Sequence, residues 1–146
     1  MLRLSTRGRL STLLLRRGQS ASFSLLSDAV DDIQQKIENS PVNLEEGLNY
    51  RLLRLNRPNA LNAANLPMIR ELTRYFDLYE GNYRIHALVL AGAGNKAFCA
   101  GGDIKALYDN GQDDALRHNA FRFFDEEYQL NYKLATSLTP VLSYLD

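Results

Sequence analysis

The stretch "RIHALVLAGAG", Arg84 to Gly94, restricts the fold more than any other part of the chain. Ile85 to Leu90 is a short, nearly continuous apolar run that ends in Gly92 and Gly94. A run of that length without polar alternation suits a strand covered on both faces, as in a parallel sheet. Parallel neighbours need crossover connections, usually helical. The sequence supplies them on both sides. Upstream, "NAANLPMIRELTRYFDLYEGN" places Leu66, Ile69, Leu72 and Phe76 at helical spacing, with Asn65 as cap, Pro67 in the first turn and Gly81 as stop. Downstream, a short helix is expected over residues 103–109 and a longer one over 113–135, with Leu116, Ala120, Phe123, Phe124 and Tyr128 on its apolar side.

The remaining segments complete an α/β pattern. "VNLEEGLNYRLLRLNRP" reads as a hairpin with turn chemistry at Gly47 and Asn49, and Pro58 stops its second strand. "TPVLSYLD" reads as a strand after Pro140. The order strand, helix, strand, helices, strand predicts right-handed crossovers and parallel pairing between the strands near Val89 and Leu142. Because Asp146 ends the chain just after that last strand, the reading expects the N-terminal part of a longer, truncated domain.

Three parts follow from composition. Residues 1–27 hold Arg3, Arg7, Arg9, Arg16 and Arg17, many Ser and Leu, and no acidic residue. That is the composition of a mitochondrial transit peptide, and a matrix location is expected from it. Residues 28–41, "DAVDDIQQKIENSP", form a linker helix with Val30, Ile33 and Ile37 on one face. Residues 42–146 are the folded domain. Without those five arginines, 12 basic residues face 17 acidic ones, so the body stands at −5. It has no basic stripe, which excludes a nucleic-acid partner. No stretch approaches the ~20 apolar residues of a membrane span. One cysteine and two isolated histidines make no metal-site spacing.

"NKAFCAGGDIKALY", Asn95 to Tyr108, carries the chemistry, and the residues leave several readings open. A phosphate loop would need G-x-x-x-x-G-K-[ST] or G-x-G-x-x-G, and neither is present. A Cys99 nucleophile would need a neighbouring base, which neither His86 nor His118 supplies in sequence. A third reading is a backbone N–H site. Glycines just before a helix expose N–H groups without a Cβ in the way, and the helix terminus adds positive potential. An N–H aimed at a carbonyl oxygen is half of an oxyanion hole. A plain turn remains the alternative.

"LNRPNALNA" (Leu55 to Ala63), followed by "GAGNKAFCAGGDIKAL" (Gly92 to Leu107), closely resembles the crotonase, or enoyl-CoA hydratase/isomerase, superfamily. "FFDEEYQLNYKLAT" (Phe123 to Thr136) is similar to its 3-hydroxyisobutyryl-CoA hydrolase branch. The resemblance implies a crotonase-like spiral of ββα units and an acyl-CoA substrate. It implies no separate cofactor, coenzyme A being part of the substrate, and leaves room for a homo-oligomer. In it Gly102 donates the first oxyanion N–H, Glu127 lines the acyl pocket, and Asn59, Ala60, Leu61, Ala100, Asp103 and Ile104 line the CoA. Asn59 departs from the lysine that many relatives carry. A second glycine-rich loop, a catalytic glutamate and an aspartate would follow beyond Asp146. The implied activity is thioester hydrolysis in valine breakdown. The alternatives are hydration or isomerisation of an enoyl-CoA, and a non-catalytic CoA-binding piece.

Overall fold

The computed structural model describes residues 25–145 and divides the chain into two units, residues 1–39 and 40–146. Of the leader expected over residues 1–27, the first 24 lie outside the described residues. The described part of the first unit is helix α1, residues 25–38, with its Lys36–Asp32 ion pair at 3.2 Å. Leu26, Val30, Ile33 and Ile37 form an apolar stripe at helical spacing along it.

The second unit is a mixed sheet with helices. Strands β1 (Val42–Glu46) and β2 (Tyr50–Leu55) form an antiparallel hairpin. A Cβ on Gly47 at its turn would fall 2.2 Å from the Tyr50 ring, so a larger residue there would have to displace that exposed side chain. A single 3-10 turn, Pro58–Ala60, leads to helix α2 (Leu66–Tyr79). The Asn65 side chain accepts the Met68 N–H at its start, and Gly81 at φ +70° follows its end. Strand β3 (Ala87–Gly92) pairs parallel with β2. Helices α3 (Ile104–Gln112) and α4 (Arg117–Thr136) then lead to β4 (Val141–Tyr144), parallel to β3. The sheet order is β1-β2-β3-β4, and Val89 stands opposite Leu142, the pairing expected from the sequence.

Alternation along the strands explains the core. Val42, Leu53, Leu55, Leu88 and Leu90 share one sheet face and meet Met68, Ile69, Leu72 and Phe76 of α2. Each such side chain contributes roughly 1.5–3 kcal/mol on leaving water. The opposite face carries a row, Leu52, Val89 and Leu142, of which Leu142 is 56% exposed. The apolar run is therefore buried on one face and only half-covered on the other. It also enters the sheet at Ala87, because the Ile85 N–H is tied to the Asn82 carbonyl in a turn.

Two helix expectations change. α4 begins at Arg117, since the Asp113 carbonyl and carboxylate cap the turn before it. Its buried side is Phe123 and Leu130, with Leu116, Phe124 and Tyr128 left exposed. Residues 123, 127, 130 and 134 form the inward stripe, a narrower face than the apolar content of the helix suggests. Arg70 of α2 fixes this orientation by donating Nε and Nη2 to the two oxygens of Glu126, both at 2.7 Å.

Candidate functional site

The candidate site lies where the chain leaves the C-terminal ends of parallel strands β2 and β3. That is where ligands of open α/β sheets gather. The first loop, residues 56–65, follows β2; the second, residues 93–103, follows β3.

The loops are joined by backbone pairing. Ala64 forms an isolated parallel bridge with Gly102. Its N–H donates to the Gly101 carbonyl and its carbonyl accepts the Asp103 N–H, both at 2.8 Å. In parallel pairing the residue bracketed by two such bonds points its own N–H to the other side. Among the described residues, no acceptor takes the Gly102 N–H. The Gly102 carbonyl accepts from Ile104 at 2.9 Å, which leaves the amide as the residue's open group.

Glu127 faces that glycine. A Cβ built on Gly102 would stand 3.1 Å from Phe123 Cζ and 3.8 Å from Glu127 Oε1. Phe123 and Glu127 are one turn apart on the inward stripe of α4. The neighbouring Glu126 is instead engaged by Arg70 and Arg122, and the Arg70 guanidinium holds its carboxyl below the usual range. Glu127 is itself half-buried, between the buried Phe123 and Leu130. Helical spacing from Phe123 and Leu130 fits Glu126 and Glu127 alike, and it is the Arg70–Glu126 pair on one side and the Gly102 contact on the other that tell them apart.

The other expected residues fall into two groups. Leu61 and Ala100 meet directly, the Ala100 N–H donating to the Leu61 carbonyl at 3.0 Å. Leu61 adopts φ +51°, and its side chain is exposed beside the junction. Asn59 and Ala60 lie in the 3-10 turn at the rim, and Ile104 is exposed in the first turn of α3. Asp103 caps α3, its Oδ1 accepting the Ala106 N–H at 3.0 Å, and its Oδ2 meets Arg57 Nη2 at 2.9 Å. The Ala106 N–H first, and the Arg57 guanidinium with it, hold the Asp103 carboxyl below its ordinary range. Its side chain is thus committed to the protein, and its backbone is what borders the site.

Two residues the motif reading passed over stand at the centre of the loops. Asn62 is wholly buried, and Arg57 spans from the Ala63 carbonyl to Asp103. The glycines of "AGAG" have a steric cause. A Cβ on Gly92 would fall 2.6 Å from the Ala97 carbonyl oxygen and 2.8 Å from that of Phe98. Carbonyls pressed on that position are the opposite of a phosphate cradle. His86 bonds Asn49 at the start of β3, the other end of the strand from Cys99. Among the described residues no cluster of His, Cys, Asp or Glu could hold a metal ion, and no helix is long and apolar enough to cross a membrane.

This geometry has well-matched relatives. A protein of Xenopus laevis named 3-hydroxyisobutyryl-CoA hydrolase, mitochondrial, is 44% identical over 96 residues, 65% of this chain and 24% of its own length. A probable 3-hydroxyisobutyryl-CoA hydrolase of Arabidopsis thaliana is 40% identical over 107 residues, 73% of this chain and 28% of its own length. The chain thus spans about a quarter of the length of these curated relatives. Among solved structures, a carnitinyl-CoA dehydratase from Mycobacterium thermoresistibile aligns with TM-score 0.68 and 32% identity, over 74% of this chain and 31% of that one. The family model for enoyl-CoA hydratase/isomerase matches residues 50–146, from β2 through both loops to the end of the chain, and the chain belongs to that family.

Proposed function

We propose that this chain forms the thioester-binding part of a 3-hydroxyisobutyryl-CoA hydrolase acting in the mitochondrial matrix. The observation that carries the reading is the open Gly102 N–H with Glu127 across from it. The relatives named as that hydrolase, and called mitochondrial, support the substrate and the compartment. The arginine-rich, acid-free composition of residues 1–27 supports the compartment as well.

In this reading the substrate carbonyl oxygen accepts the Gly102 N–H. Water adds to the carbonyl carbon, the oxygen gains negative charge, and the amide meets that charge without reorganising. Collapse breaks the C–S bond, the sulfur takes a proton, and free acid and coenzyme A result. Glu127 accepts a hydrogen bond from the substrate hydroxyl and so selects a hydroxyacyl group. The two loops at Asn59–Leu61 and Ala100–Ile104 border the CoA.

The test compares binding of 3-hydroxyisobutyryl-CoA with isobutyryl-CoA, which lacks only the hydroxyl. A hydrogen bond to a charged group is worth about 1.5–3 kcal/mol, so the hydroxylated ligand should bind about tenfold tighter or more. Glu127→Gln should remove most of that preference. Equal affinity of the two ligands for the unaltered chain would sink the hydroxyacyl assignment.

A further inference from the structure

Asn62 has an unusual set of partners. Its side chain is fully buried, and three of its hydrogen-bonding positions are filled by main-chain groups. Oδ1 accepts the Arg57 N–H at 2.9 Å. Nδ2 donates to the Ala93 carbonyl at 2.9 Å and to the Ala97 carbonyl at 2.8 Å. One amide therefore ties the start of the first loop to both limbs of the second. Its own backbone is at φ +53°, directly after Leu61 at φ +51°. Asparagine tolerates that region; leucine is strained there. Three bonds from a buried amide offset the strain at Leu61 and turn the Leu61 carbonyl toward the Ala100 N–H.

Arg57 is the second tie between the same loops. Nη1 donates to the Ala63 carbonyl at 2.5 Å, and Nη2 pairs with the capping carboxylate of Asp103 at 2.9 Å. Between the two ties lies the Ala64–Gly102 bridge, which aims the Gly102 N–H outward. Every partner of both side chains belongs to a segment bordering the candidate site. We infer that Asn62, backed by the Arg57–Asp103 pair, is the positioning residue that fixes the first loop against the second and so sets both the CoA-bordering rim and the direction of the Gly102 N–H. This deepens the thioester-binding reading and rests on it for the ligand alone; the loop positioning stands on geometry.

The test uses the full chain and three variants. Asn62→Asp keeps the acceptor but sets a carboxylate against two carbonyl oxygens. Arg57→Lys keeps charge and loses the two-armed reach. Val42→Ala removes core packing at β1 and alters no residue of either loop. Amide exchange is read at Ala100 and Asp103, the two second-loop N–H groups that donate to the first loop, and affinity is measured with coenzyme A as probe. The expected result is exchange at least tenfold faster at both amides in Asn62→Asp than in Val42→Ala, with CoA affinity at least tenfold weaker. Arg57→Lys should shift both in the same direction by less, and it serves should Asn62→Asp not fold. Exchange no faster than in Val42→Ala would overturn the positioning role. So would selective exchange with CoA affinity lowered only as much as in Val42→Ala. Selective exchange in a chain that binds no CoA even unaltered would uphold the positioning and overturn the CoA reading.

Discussion

Gly102 and Glu127 come together across the loop and helix α4: a Cβ on the glycine would stand 3.8 Å from Glu127 Oε1 and 3.1 Å from Phe123 Cζ. A methyl group at this position would press on the buried Phe123 ring. Gly102→Ala should cost about 1–3 kcal/mol by overpacking against Phe123, read as a lower urea midpoint with unchanged slope. Phe123→Leu in the same chain should recover part of the loss by making room. An alanine variant as stable as the parent would show that the loop is looser than this contact requires.

Gly92 sits under the second loop in the same way, with the Asn62 amide nitrogen 2.9 Å from a would-be Cβ and two carbonyl oxygens closer still. Backbone cannot rotate away as a side chain can. Gly92→Ala should cost about 2 kcal/mol or more. Because it disturbs the groups that Asn62 holds, its effect and that of Asn62→Asp should not add. A double-mutant cycle by chemical denaturation reads this; full additivity would separate the two positions.

Leu61 at φ +51° offers the opposite sign. Its side chain is exposed, so little packing is lost on shortening it. Leu61→Gly should be neutral or stabilising by up to about 1 kcal/mol, since relief of a left-handed leucine outweighs the added freedom of the unfolded chain. Leu78→Gly, at an exposed position inside α2, should instead cost about 1 kcal/mol. The pair of midpoints makes the comparison internal.

Acid stability should follow Asp103 and Glu126. Both carboxyls are held low, Asp103 first by the Ala106 N–H and then by Arg57, and Glu126 first by Arg70. A lowered folded value means the unfolded chain binds protons first as pH falls. The stabilisation is complete above the ordinary carboxylate range near pH 4 and is lost as pH drops through the folded values. Asp103→Asn retains a cap acceptor but should flatten the fall in stability below about pH 4. Denaturation midpoints across pH 2 to 6 would show an unchanged slope if the pair contributes nothing.

Much of this was legible in the residues. Asn65, Pro67 and Gly81 announce α2, because cap and stop chemistry is local. The Val89–Leu142 pairing followed from apolar runs and crossover rules. The apolar side of α4 did not follow, because aromatic residues occur around much of that helix and long-range contacts, among them the Arg70–Glu126 and Lys133–Asp77 pairs and the Gly102 contact, fix its rotation. Asn62 was hidden for a similar reason. Beyond the Arg57 N–H, its partners are two carbonyls more than 30 residues away, and nothing local marks an asparagine as a bridge. Gly102 was visible as an N–H candidate, but its openness comes from the bridge to Ala64, a long-range pairing.

The central claim is that the Gly102 N–H meets a thioester carbonyl. The most direct measurement is the infrared carbonyl band of an isotope-labelled 3-hydroxyisobutyryl-CoA bound to this chain. A hydrogen bond to that oxygen weakens the C=O bond, so the account predicts a band at lower frequency than in water-free, unbonded thioester and sharper than the solvated ligand. A bound ligand whose carbonyl band matches the unbonded thioester would contradict it.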